Sequence, residues 1–230
     1  MYYKKFFEQL KMGEGNMRKV ICIDGVVGVG KSTLGELLAK ELDTKLFVEP
    51  VIDNPLLDKF YYDRKQYAFP LQVFFLNKRF EMIKEAERLE SCIMDRSIYG
   101  DVIFARMLME DGDMSREEFH IYEELLTHML EHIERPKLMI YLETSVENAM
   151  SKIQRRGRDY EQIVPKEYWE SLNKNYSSYF NAYDLSDILV VNVDNLDIRD
   201  NQEHRDYFFK LVKEKLQEIE KREEGEKNNG

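Results

Sequence analysis

Two cysteines, four histidines and one tryptophan are all that the 230 residues hold of those types, and the scarcity narrows the possible functions. Cys22 and Cys92 stand in separate apolar runs as buried free thiols, with neither a disulfide framework nor a metal-binding spacing around them. His128 and His132 are four residues apart, but no glutamate or third ligand completes a zinc site, so they read as surface histidines. No apolar run approaches the roughly 18 residues of a membrane span. The N-terminal stretch "MYYKKFFEQLKMGEG" has no apolar signal core, so a reducing cytoplasm is the expected compartment. Positive charge is also short. With 34 Lys and Arg against 44 Asp and Glu the net charge is -10, which argues against a DNA or RNA polymer as partner. Small anions remain candidates, because helix N-termini and local arginine clusters hold them inside an acidic protein.

The chain alternates short apolar runs with long amphipathic stretches. Strands are predicted at 19–24, 45–50, 91–95, 137–143 and 187–194, with helices near 31–42, 70–90, 115–134, 145–156, 166–180 and 201–221. That order predicts one doubly wound α/β domain over 17–221, a five-stranded parallel sheet with helices on both faces. Residues 1–16 precede the first core strand and are expected to lie outside the core. Reverse translation of "GEGNM" (13–17) gives a purine-rich run of the ribosome-binding type, so translation is expected to start at Met17. The charged end "EKREEGEKNNG", including 222–230, is expected to be disordered.

Between the first strand and the first helix stands "GVVGVGKS" (25–32), a full G-x-x-x-x-G-K-[ST] phosphate loop. Gly25, Gly28 and Gly30 let backbone N–H groups turn toward phosphates, Lys31 brings positive charge to the β/γ region, and Ser32 can ligate Mg²⁺. Thr33 follows at the helix start as a further expected ATP contact. No N/T-K-x-D guanine signature occurs, and the chain is short for a motor or helicase, which leaves small-molecule kinases as the best class. The second strand ends in "VEPV" (48–51), bringing Glu49 to the edge where ligands bind, as a candidate base for an attacking hydroxyl. The third ends in "MDRS" (94–97), with Asp95 placed to assist Mg²⁺ and Arg96 to neutralise a phosphoryl group in transfer. "RRGRDYEQ" (155–162) follows a helix and reads as a mobile arginine-rich lid. Each acid or arginine of these stretches, taken alone, also fits a plain salt bridge or a solvated turn.

Together the phosphate loop, "EPV", "FPLQVFFLNKRF" (69–80), "DRSIYGD" (95–101) and "RRGRDYEQ" resemble the deoxyribonucleoside kinase family, in particular its bacterial deoxyadenosine/deoxyguanosine branch, over residues 19–220. The resemblance implies a P-loop kinase fold that transfers phosphate from MgATP to the 5′-hydroxyl of a 2′-deoxynucleoside. It implies that Glu49 is the base, with Lys31 and Arg96 as its catalytic partners. Gln72 would pair with the nucleobase, Arg79 and Asp101 would read its far edge, and Phe104 would stack on it. Tyr61 and Glu161 would hold the 3′-hydroxyl, and Lys152, Arg156 and Arg158 would be the lid cations, Lys152 standing where the family often has arginine. Keeping both Arg79 and Asp101 points to a purine or deoxycytidine rather than thymidine. A homodimer through the helices near 70–90 and 115–134 is implied too, with a mixed pair of related subunits left open. Two rival readings stand beside this one, a nucleoside monophosphate kinase and a nucleotide-binding subunit without catalysis.

Overall fold

The computed structural model describes residues 2–10, 19–49 and 54–229. Residues 13–17, where the alternative start was placed, and Pro50–Val51 after Glu49 lie outside them.

Strands β1 (Lys19–Gly25), β2 (Lys45–Phe47), β3 (Ser91–Asp95), β4 (Leu138–Glu143) and β5 (Asp187–Asn192) form one parallel sheet in the order β2-β3-β1-β4-β5. β1 lies at its centre and is buried from Val20 to Gly25, as expected of a parallel strand covered on both faces. Register then decides what meets at the carboxyl edge. Ile23 pairs with Asp95, Gly25 with Leu142 and Phe47 with Met94. The phosphate loop therefore opens beside Asp95, and two residues past Phe47 and Met94 bring Glu49 opposite Arg96.

Ten helices carry the connections among the described residues: α1 (Tyr2–Leu10), α2 (Lys31–Glu41), α3 (Leu57–Tyr62), α4 (Arg64–Ala86), α5 (Asp101–Glu110), α6 (Arg116–Leu130), α7 (Val146–Arg156), α8 (Asp159–Gln162), α9 (Lys166–Phe180) and α10 (Gln202–Asn229). α4 begins six residues before Pro70, where the helix was expected to start. The Asp63 side chain caps it by accepting from the Gln66 backbone N–H at 3.2 Å, and Pro70 sits inside the helix. α3 and α5 had no counterpart among the expected helices. No described helix is long and apolar enough to cross a membrane.

Both chain ends correct the sequence reading. α1 belongs to the core: Tyr3, Phe6 and Phe7 recur at i, i+3 and i+4 and are 6%, 2% and 1% exposed. The Phe7 ring packs edge-on against Tyr179 at 4.9 Å and Tyr183 at 5.6 Å, and the Tyr3 hydroxyl donates to Asn175 Oδ1 at 3.1 Å. Arg106 lies 3.8 Å from the Tyr2 ring centroid, closing the other side. The segment expected outside the core thus supplies part of the wall behind α9. At the other end α10 runs on to Asn229 in place of a disordered tail. Its last turns are held to the sheet by Lys137–Glu223 at 2.9 Å and Arg222–Asp187 at 3.0 Å, with Ile219 buried beneath. A charge-rich segment without proline stays helical where such partners exist.

Phe7→Ala is expected to lower stability by about 3–5 kcal/mol, the cost of emptying a buried aromatic site. A chemical-denaturation midpoint equal to that of the unaltered protein would contradict the placement of α1 in the core.

Candidate active site

The turn from β1 into α2 wraps around an open space. Gly28 has φ +83°, and a Cβ there would come within 2.6 Å of the Ala149 carbonyl oxygen and 2.8 Å of Ile153 Cγ1. Only glycine allows the loop to lie this close to α7 with that backbone. Gly25 and Gly30 also take positive φ, +153° and +111°. Lys31 Nζ, nearly buried, donates to the Gly25 and Val26 carbonyls at 2.9 and 3.0 Å, which folds the ammonium back into the loop. Burial, then the neighbouring Arg96, lower Lys31 to about 8. Ser32 Oγ donates to Asp95 Oδ2 at 2.5 Å. Asp95 Oδ1 is buried without a hydrogen bond, and burial raises this carboxyl above its ordinary range against the pull of Lys31. A hydroxyl and an under-satisfied carboxylate side by side fit Mg²⁺, which takes few protein ligands and completes its shell with phosphate oxygens and water.

Across from the loop, Glu49 Oε1 accepts from Arg96 Nε at 2.6 Å and from Arg79 Nη2 at 2.8 Å. The other carboxylate oxygen has no hydrogen bond among the described residues. Burial pushes the Glu49 carboxyl up, but Arg96, then Arg79 and Lys31, outweigh it and hold it at about 2. Arg96 stands at φ +78°, a left-handed backbone rare outside glycine, and is 3% exposed. Its far end is fixed by two residues the sequence reading missed. Nη1 donates to the Tyr176 hydroxyl, and that hydroxyl donates to Asp24 Oδ1 at 3.3 Å. Asp24, fully buried at the end of β1, also accepts from the Ser97 backbone N–H at 3.1 Å. A Cβ on Gly100 would meet Asp24 Oδ2 at 2.6 Å, so this carboxylate needs glycine beside it. Strained backbone held by this many contacts is what functional sites accumulate.

The cavity between these groups holds about 870 Å³. On its wall stand Gly28, Gly30, Lys31, Ser32 and Thr33 from the phosphate loop. Glu49, Arg96 and Tyr61 join them, with Gln72 and Arg79 from α4 and Phe104 from α5. Gly25 and Asp95 stay behind the wall, and so does Asp101. Arg79 Nη1 donates to Asp101 Oδ1, so Asp101 supports Arg79 from behind. Burial raises Asp101 to about 6 although Arg79 pulls it down. Gln72 and Arg79, seven apart on one face of α4, are 5% and 4% exposed and form no solvated stripe. Phe104 lies under the Arg96 guanidinium at 5.2 Å.

The lid residues close the remaining side. Lys152 Nζ reaches the Val29 carbonyl at 3.1 Å, linking α7 to the phosphate loop. Arg156 forms two hydrogen bonds with Glu161, at 2.6 and 3.1 Å, and Arg158 approaches the same carboxylate at 3.5 Å. Tyr160 stacks on Tyr61 with centroids 5.2 Å apart. Arg155 of the expected lid also lines the cavity, and so does the loop before α10, Val193 and Leu196 to Asp200, which was not foreseen. No glycine motif marks that loop, and its mixed charges, Asp194, Asp197, Arg199 and Asp200, read as an ordinary solvated turn; the strand order brings it there.

Comparisons with known proteins agree with this arrangement. The family profile described as deoxynucleoside kinase matches residues 21–217. The chain is 37% identical over 219 residues to the deoxyguanosine kinase of Lactobacillus johnsonii, covering 91% of this chain and 98% of that one. It is 36% identical over 187 residues to the deoxyadenosine/deoxycytidine kinase of Bacillus subtilis, covering 80% and 86%. The solved structure of deoxyadenosine kinase from M. mycoides with bound dATP superimposes with a TM-score of 0.75 at 34% identity, over 86% of this chain and 98% of that one. The same enzyme with dCMP and dCDP gives a TM-score of 0.76.

Gly28→Ala is expected to weaken MgATP binding at least about tenfold, a loss of ~1.4 kcal/mol or more, since the loop must leave α7 to admit the methyl group. Calorimetric titration with MgATP reads the effect, and unchanged affinity would contradict the loop geometry.

Proposed function

The chain belongs to the deoxynucleoside kinase family, and on that premise we propose that it transfers the γ-phosphoryl group of ATP to the 5′-hydroxyl of deoxyadenosine or deoxyguanosine. The observation that carries this reading is Glu49, a carboxylate with one oxygen unpaired among the described residues, held across the cavity from a complete phosphate loop. An acceptor hydroxyl fits beside it; a monophosphate acceptor would bring its own negative charge against it.

In the proposed reaction ATP lies along the phosphate loop, its β- and γ-phosphates beside Lys31. Ser32 and Asp95 would hold Mg²⁺, which would supply positive charge to offset that of the phosphates during transfer. The nucleoside lies between α4 and Phe104, with Gln72 offering an amide donor and acceptor to the base edge. Tyr61 and Glu161 face the 3′-hydroxyl. The 5′-oxygen attacks the γ-phosphorus in line, the bond to the β-bridging oxygen breaks, ADP departs, and the hydroxyl proton passes to Glu49. A carboxylate held near 2 is a weak base. That suits a loose transition state in which little proton transfer is needed before the phosphorus–oxygen bond forms. Its stronger duty is to orient the hydroxyl, with Arg96 beside the group in transfer. Arg156 and Arg158 leave Glu161 for the phosphates as the lid closes and water is excluded. We extend the reading to a homodimer through α4 and α6, where Ile121 is 55% exposed.

Glu49→Gln is expected to lower kcat by a factor on the order of 10² while nucleoside binding stays within a few-fold. Phosphorylation assayed over the four deoxynucleosides and their monophosphates completes the test: transfer to monophosphates alone would overturn the reading.

A further inference from the structure

Arg79 is more than a wall of the base pocket. Its Nη1 donates to Asp101 and its Nη2 to Glu49 Oε1 at 2.8 Å, the same oxygen that Arg96 Nε reaches at 2.6 Å. The residue projects from α4, is 4% exposed, and lies over the Phe75 ring at 4.9 Å, with its guanidinium between the two carboxylates. A side chain that served base recognition alone would need Asp101 behind it and no contact with the carboxylate at the acceptor end. We propose that Arg79 is a positioning residue for Glu49: one guanidinium joins recognition of the acceptor's base to the carboxylate that receives its 5′-hydroxyl proton. This rests on the deoxynucleoside kinase reading above.

The consequence follows from charge. Among the described residues, five groups act on the charge of Glu49: Arg96 from the turn after β3, Arg79 from α4, Lys31 from α2, Asp95 from β3 and Tyr176 from α9. The three cations hold the carboxylate ionised in the free protein, well into acid. A base that draws Arg79 toward itself leaves Glu49 to Arg96 and Lys31. The carboxylate then becomes a better proton acceptor as the correct nucleoside seats. A ligand that fills the sugar site without engaging Arg79 leaves Glu49 clamped by both guanidinium groups.

The sign of the pH effect is fixed. Glu49 is depressed, so its ionised form persists on the acid side, and removing one cation moves its titration upward. Loss of an opposite charge at such range lets a carboxylate rise by about 1–3 units. Asp101 also titrates, so it is removed from the comparison. The test compares kcat/KM for deoxyadenosine at saturating MgATP in Asp101→Asn and in R79Q/D101N, from about pH 4 to 9, where the profile reports groups of the enzyme–MgATP complex that receives the nucleoside. Titrations of deoxyadenosine and ATP are common to both profiles and cancel. Asp101→Asn is expected to show no limb from Glu49 within that range, while R79Q/D101N gains one at its acid end. Coincident profiles, with the difference confined to a pH-independent rise in KM, would overturn the proposal. R79M/D101N fills the same buried space with an apolar chain and carries the same expectation if R79Q/D101N melts early. Absence of phosphoryl transfer to any deoxynucleoside in the unaltered protein would instead overturn the function.

Discussion

Glu49 and Arg96 meet because β2 and β3 are paired in register and both chains continue two residues past the last paired position. The contact that results, at 2.6 Å, lies in a region from which water is largely removed. Burying two ions costs several kcal/mol for each unless their remaining hydrogen-bonding capacity is met. Here it is met at one Glu49 oxygen and at the far end of Arg96. Arg79 takes the same Glu49 oxygen, and Tyr176 and Asp24 take the other end of Arg96. A buried network of this kind contributes little net stability, yet it permits only one arrangement. That explains how Arg96 can be kept at φ +78° and how a left-handed arginine can be aimed into the cavity. The phosphate loop, the acceptor carboxylate and the base pocket take their relative positions from this chain of contacts.

Much of this was legible before any coordinates. Five short apolar runs separated by helical stretches determine a parallel sheet, and "GVVGVGKS" marks its central strand. "VEPV" and "MDRS" are readable as site residues because parallel strands deliver their carboxyl ends to one edge. The individual roles of Gln72, Arg79, Tyr61 and Glu161 came from the family resemblance; spacing alone left a solvated stripe as a fair alternative for α4. What escaped did so for physical reasons. Tyr176 lies 80 positions from Arg96 in the chain, in a helix full of aromatics, and nothing local separates a tyrosine that packs from one that orients a guanidinium. Asp24 reads as the polar end of a strand. α1 was different, since its apolar residues at i, i+3 and i+4 were in plain view. It was set aside because it precedes the first strand, and position in the chain proved a poorer guide than periodicity.

Asp101 is paired with Arg79 as the family resemblance implied, but from behind it. It stands behind Arg79, off the cavity wall, with one oxygen occupied by the guanidinium and the other buried without a partner. The Tyr122 hydroxyl is likewise buried and unpaired, close enough to sense the charge of both Asp101 and Arg79. Polar atoms in such surroundings are under strong pressure to find partners. This side of the cavity is therefore backed by groups of α4, α5 and α6 that do not line it. Altering the base preference of such a site by changing its wall alone would leave these inner charges uncompensated.

The same economy appears at the lid. Glu161 holds Arg156 and Arg158 in this arrangement, and in the proposed reaction it also faces the sugar hydroxyl. One carboxylate cannot hold two guanidinium groups and a hydroxyl equally well, so a seated sugar weakens its grip on the arginines and frees them for phosphate. Tyr160, stacked on Tyr61, ties the lid's backbone to the helix on the sugar side, so that movement of either is felt by the other. A kinase must avoid spending ATP on water, and water carries neither a sugar to engage Glu161 nor a base to engage Arg79. Both ends of the acceptor thus act on cations that the phosphoryl group needs or on the carboxylate that orients its attacker. In the proposed reaction the discrimination against water would reside in those shared side chains, apart from exclusion by a closing lid.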